Sequence, residues 1–127
     1  MATVQLAVNG TLMRGLKLNP NMLAVGATFS HEAKTAPEYR IWTIADEHPA
    51  MQRVAAGGVS VALEIWDVPP EGLGVVLQQE PPGLCIGKVK LEDGTFVLGV
   101  LGEAVLCEGQ QEISRYGGWR NYIAQKG

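Results

Sequence analysis

Val4-Gln5-Leu6-Ala7-Val8-Asn9-Gly10-Thr11-Leu12-Met13-Arg14-Gly15 is the stretch on which the fold of this chain turns. Val4 to Val8 is a short apolar run bounded by turn formers, which reads as a strand. The strand ends in a tight turn holding two glycines and an arginine, a backbone suited to capturing an anion. Gly10 and Gly15 permit φ > 0 and close approach, so the N–H groups of Thr11, Leu12 and Met13 can point inward together. Arg14 adds a planar, permanently charged fork that suits a carboxylate. The plainer alternative is an ordinary strand-to-loop turn with a solvated arginine.

Outward from this loop, glycine and proline divide the chain into short pieces, most of them strand-like. Asn19-Pro20-Asn21 offers a helix start, with Met22 to Val25 forming one turn closed by Gly26. Ala27 to Lys34 and Tyr39 to Ala45 read as strands separated at Pro37, and Gln52 to Ala55 as a short strand before Gly57-Gly58. Ser60 to Asp67 has the clearest period of two, with Val61, Leu63 and Ile65 alternating with Ala62, Glu64 and Trp66. Both faces of that strand are expected to be covered. Pro69-Pro70-Glu71 opens a helix in which Leu73, Val76 and Leu77 share one face, and Pro81-Pro82-Gly83 stops it after about Gln79.

Cys85 to Leu91 and Thr95 to Val100 flank Glu92-Asp93-Gly94, a hairpin signal in which Asp93-Gly94 suits a type I′ turn. The second arm is read as continuing through Gly102 to Leu106, with a bend near Gly99 and Gly102. Ile113 to Ala124 ends in a short helix whose Trp119 anchors the tail beside Gly117-Gly118. The sum is an α+β fold: a small mixed β-barrel with short helices.

A chain of 127 residues is read as one domain, 1–127, with enough length to bury a core. Its 46% hydrophobic and 18% charged content excludes a disordered chain. Ten Lys and Arg against thirteen Asp and Glu, without a basic run, argue against nucleic acid as a partner. No long apolar stretch or basic-then-apolar leader is present, so a cytoplasmic protein away from the membrane is expected. Cys85 and Cys107 sit in apolar, strand-like runs and are expected to be buried free thiols. His31 and His48 have no ligand spacing with them, so neither metal nor cofactor is expected. Trp42, Trp66 and Trp119 are candidates for a homodimer surface.

Among the charged residues, Glu80 sits where the predicted helix gives way to the double-proline loop. The negative end of the helix dipole raises a carboxyl there, which suits a general acid or base near neutrality. Glu64 lies in the middle of a covered strand and needs a partner. Arg40, Arg53 and Arg120 are the candidate partners for either glutamate. His31 is read as solvent-facing, His48 as a loop residue, and Cys85 as packing rather than a nucleophile.

From about Gln5 to Ala124 the chain resembles the C-terminal domain of allophanate hydrolases. The likeness is carried by ordered segments, among them Val8-Asn9-Gly10, Thr35-Ala36-Pro37-Glu38-Tyr39-Arg40, Glu64-Ile65-Trp66 and Tyr116-Gly117-Gly118-Trp119-Arg120. That domain is similar to the γ-glutamylcyclotransferase fold, whose Tyr-Gly-Ser/Thr-Leu loop resembles Asn9-Gly10-Thr11-Leu12. The resemblance implies a substrate held by loop N–H groups and a proton moved by a glutamate after the following helix, the place of Glu80. The chain departs from these patterns at Asn9, where tyrosine is usual, and at Leu12, where many relatives carry histidine. It carries no amidase signature, so the first step of allophanate hydrolysis is not expected of it.

Three functions remain open on this reading. In the first, the chain acts in urea- or allophanate-type nitrogen metabolism and binds a small anionic metabolite, a carboxylate or carbamate, through Gly10, Thr11 and Leu12. Asn9, Arg14, Tyr39 and Arg120 complete that site. In the second it is a cyclotransferase-like enzyme with Glu80 as acid and base. In the third it is a non-catalytic partner of a separate amidase subunit.

Overall fold

The strand expected ahead of the glycine loop forms at Val4–Val8 (β1), and its partners place both ends of the site. The structure, a computed structural model, describes residues 2–126. Met1 and Gly127, the ends of the range read as one domain, lie outside the described residues. After β1 come α1 (Asn19–Ala24), β2 (Thr28–Lys34), β3 (Tyr39–Ile44), β4 (His48–Arg53) and β5 (Ala62–Val68). Then follow α2 (Pro70–Gln79), β6 (Leu84–Lys90), β7 (Phe96–Gly102), α3 (Ala104–Cys107), β8 (Gln111–Glu112) and α4 (Trp119–Lys126). A single 3₁₀ turn, Ser114–Tyr116, precedes α4.

These elements make an α+β fold with two sheets. One has five strands in the order β2-β5-β1-β7-β6, and the other has three in the order β4-β3-β8. β1 is central in the larger sheet, antiparallel to β5 and parallel to β7. Its two edge strands curl toward each other at one end, where Thr35 bridges Leu91 and the Glu92 amide donates to the Lys34 carbonyl at 3.1 Å. The strands therefore form a curled sheet with one bridged corner rather than the expected barrel, and among the described residues no closed ring of pairing runs through both sheets.

The alternation read in β5 places Leu63 and Ile65 on one face and Glu64 and Trp66 on the other, all buried. Its neighbours β1 and β2 exclude water from both sides, so the charge on Glu64 has to be matched from within. α2 buries Val76 in the core but leaves Leu77 exposed, so the apolar stripe is narrower than its spacing suggests. Trp119 and Trp66 are core residues rather than dimer-surface candidates, and Trp42 is half-buried.

Several expectations are corrected. The strand placed at Gln52 to Ala55 is the end of β4, which starts at His48. The β3–β4 turn hides it, because Ala45 and Asp46 both adopt positive φ, at 54° and 58°, with Glu47 N–H donating to Ile44 O. This is the geometry of a type I′ turn without its usual Asn-Gly signal. The Asp46 carboxylate compensates by accepting from Thr43 and from the Tyr122 hydroxyl of α4, at 2.9 and 2.7 Å.

At the β6–β7 hairpin only Gly94 has positive φ, and its N–H donates to Leu91 O. The turn is therefore a type I turn closed by a glycine bulge, not type I′. β7 stops at Gly102, and Leu106 belongs to α3. Cys85 is exposed; only Cys107 is buried, and it lies in a helix.

Candidate functional site

The glycine loop is fixed by its carbonyl groups. Gly10 O accepts from Met13 N–H and Thr11 O from Leu18 N–H, each at 3.0 Å. Leu12 O accepts from the side-chain amide of Asn19 at 2.8 Å. Three consecutive carbonyls are thus tied inside the loop, while the N–H groups of Gly10, Thr11 and Leu12 donate to no protein acceptor among the described residues. The Met13 amide, expected to join them, is used by the Gly10 carbonyl. Asn9 is buried, with its side-chain amide donating to Val100 O at 2.9 Å, so it ties β1 to β7.

Gly10 lies directly against Pro49. A Cβ on Gly10 would fall 2.6 Å from Pro49 Cδ, so only glycine permits this approach. The loop, the start of β4 and the end of α2 thereby enclose one small pocket, lined by Asn9, Gly10, Thr11, Leu12, His48, Pro49 and Glu80, with Val8, Leu84 and Val100. Water reaches about 10 Å³ of it, the space of roughly one water molecule or one carboxylate oxygen.

Glu80 is the C-cap of α2, in extended conformation with φ −74° and ψ 149°, which turns the chain into the pocket wall. Burial pushes its carboxyl up to about 7. The direction expected from the sequence is therefore found, but the cause is desolvation with no cation to offset it, rather than the helix dipole. A carboxyl of this kind is protonated in slightly acid solution and can donate a hydrogen bond to an anion.

Arg14 and Arg120 are occupied elsewhere. Glu64 Oε1 accepts from the Arg14 amide at 2.9 Å and the Trp66 indole at 3.1 Å. Glu64 Oε2 accepts from Arg14 Nε and Arg120 Nη2, both at 3.1 Å. Burial alone would raise the Glu64 carboxyl, but the Arg14 amide, the Trp66 indole and the Arg14 guanidinium hold it below the usual carboxylate range. The Arg14 guanidinium also stacks 3.7 Å above the Phe29 ring and reaches Glu32 at 2.8 Å. This network clamps the glycine loop to β5 and α4.

It borders a separate cleft of about 450 Å³, lined in part by Met13, Glu32, Lys34, Glu64, Glu92 and Arg120. The cleft shares no lining residue with the loop pocket. Tyr39 is fully buried, its hydroxyl accepting from the Lys90 amide at 2.9 Å, and it lines neither space. Of the other arginines weighed for Glu64, Arg53 pairs with Glu38 at 2.6 Å and Arg40 lies 3.8 Å from Glu112.

The structure thus brings together Asn9, Gly10, Thr11, Leu12 and Glu80, and separates Arg14, Tyr39 and Arg120 from them. It adds His48, because the start of β4 packs against the glycine loop through Pro49 and Gly10, a contact between distant segments that no local pattern shows. His48 Nδ1 lies 3.0 Å from the Pro49 carbonyl.

A curled mixed sheet whose central strand opens into a glycine loop, with a half-buried carboxyl at the end of a helix beside it, defines a small α+β domain. Residues 4–124 match the family described as allophanate hydrolase C-terminal domain, and the chain belongs to that family. It is 32% identical to the urea amidolyase of Lachancea kluyveri over 95% of its own length, but spans only 7% of that protein. Among solved structures, a uropathogenic E. coli-specific protein, c4763, superposes with a TM-score of 0.96 at 54% identity over 98% of both chains. The allophanate hydrolase of Kluyveromyces lactis superposes at a TM-score of 0.94 and 29% identity, over all of this chain and 22% of that one. An AIG2-like protein from Mus musculus, at 24% identity and a TM-score of 0.60, shares the fold.

Proposed function

We propose that this chain, as one domain, binds a small carboxylate or carbamate at the glycine loop, with one oxygen seated in the loop pocket, and serves urea- or allophanate-type nitrogen metabolism in the cytoplasm. Its curled sheet serves as a barrel-like support that holds the loop and Glu80 apart by a fixed distance. The observation that carries this reading is the unpaired run of Gly10, Thr11 and Leu12 amides beside a carboxyl raised to about 7. An anion next to an ionised Glu80 would be repelled. An anion next to a protonated Glu80 gains a donor as well as the three amides.

Binding should therefore weaken as pH rises through 7. Between pH 6 and pH 8 the protonated fraction of such a carboxyl falls about tenfold. Calorimetric titration with sodium acetate, against sodium chloride at equal ionic strength, is expected to show about that loss of affinity. Equal affinity at both pH values, or none at either, would contradict the proposal.

Two other functions have particular support. The raised Glu80 favours a γ-glutamylcyclotransferase-like acid–base role, in which it takes a proton from an attacking amine. The small share of the urea amidolyase and allophanate hydrolase relatives that this chain spans favours a module working beside a separate amidase subunit. Copurification of such a subunit with the wild-type chain, unaffected by Glu80→Gln, would favour the module.

A further inference from the structure

We propose that His48 is the second proton-carrying group of the loop pocket, facing the ligand together with Glu80. This rests on the anion-binding reading above and adds to it a residue that neither the loop motif nor the helix end contains. His48 and Glu80 are the two titratable side chains among the residues that line the pocket, one from the start of β4 and one from the end of α2. The loop itself contributes Leu12, which moves no proton.

The state of the ring follows from its neighbour. A carbonyl only accepts, so the 3.0 Å contact with Pro49 O puts the proton of the neutral ring on Nδ1. Nε2 is then the nitrogen that carries the lone pair, the one able to take a proton from a ligand. The backbone that carries the ring is also held on both sides. Pro49 is wedged against Gly10, and the turn before His48 is anchored through Asp46 to Thr43 and Tyr122.

Such a pair suits a ligand that carries both a carboxylate and an exchangeable proton, such as a carbamate or a small carboxylate that also bears an amide. The loop amides take the negative oxygen, while Glu80 and His48 give and receive the proton.

Long-range ¹⁵N–¹H spectra of the His48 ring in the wild-type protein test this directly, with sodium acetate at pH 6 as the probe and sodium chloride as the control. The expected result is an Nδ1–H tautomer in the neutral ring, and an Nε2 shift that saturates at the same acetate concentration as the shifts of the Gly10, Thr11 and Leu12 amides. His48→Gln is expected to bind acetate about fivefold more weakly. A ring that stays silent while the loop amides respond, or an Nε2–H tautomer, overturns the role of His48 and leaves the loop reading intact. Silence of both overturns the loop reading and this inference with it. The wild-type ring spectra decide the matter even if the variant does not fold.

Discussion

Replacing Glu80 with glutamine should stabilise the protein, and by an amount that depends on pH. In the fold the carboxyl is raised from about 4.5 to about 7 by burial. The ionised form is therefore penalised in the folded state relative to the unfolded one. Wild-type stability from this group is full below the unfolded value, declines as pH rises from about 4.5 to about 7, and is level above. A shift of this size corresponds to about 3 kcal/mol, and partial exposure of the side chain reduces it to about 2 kcal/mol.

Glutamine keeps the volume and removes the titration. Glu80→Gln should match the wild type within about 0.5 kcal/mol at pH 5 and exceed it by about 2 kcal/mol at pH 8. For a chain of this length that is a rise of roughly 8 °C in Tm. Urea unfolding of both proteins at pH 5, 6, 7 and 8 measures the difference. A difference that is constant across this range would refute the desolvation argument, and with it the protonated donor on which the proposed anion binding depends.

Other expectations can be checked in the same preparations. Glu64→Gln removes half of the acceptor set that joins Arg14, Trp66 and Arg120, and should cost about 2–3 kcal/mol at pH 7, the two arginines being half exposed and able to recover water. Because the Glu64 carboxyl is held low in the fold, its stabilisation is full above the ordinary carboxylate range and is lost as pH falls through the lowered value. The cost measured by urea unfolding should accordingly shrink toward pH 2. Gly10→Ala drives a Cβ against Pro49 and should destabilise by about 1–3 kcal/mol while abolishing the acetate response, read by calorimetry. Ala45→Gly relieves a positive φ of 54° and should raise stability by about 1 kcal/mol in the same unfolding assay. A thiol reagent should modify Cys85 in the native protein and reach Cys107, buried and with its thiol pushed up by that burial, only on unfolding.

What could be read from the sequence follows the range of each signal. β1, β2, β5, α2 and the β6–β7 hairpin rest on local periodicity and on proline or glycine stops, and they form close to where those signals fall. β4 was misplaced because its turn uses Ala45 and Asp46, whose positive φ depends on contacts from Thr43 and from Tyr122, far along the chain. The need of Glu64 for a partner could be seen from its position in a covered strand. That Arg14 would be a partner beside Arg120 could not, since Arg14 reads as part of the anion-holding loop. The same limit governed the site. Gly10, Thr11, Leu12 and Glu80 carry local signatures, whereas His48 enters only because Pro49 is seated on Gly10.

In the proposed function the amides of Gly10, Thr11 and Leu12 hold negative charge in the pocket they share with Glu80. A ¹⁵N–¹H correlation titration with sodium acetate at pH 6 addresses it most directly. Saturable shifts concentrated on those three amides, weaker at pH 8 and absent with chloride, are the predicted result. Shifts scattered over the surface lysines and arginines, with the three loop signals unmoved, would contradict it.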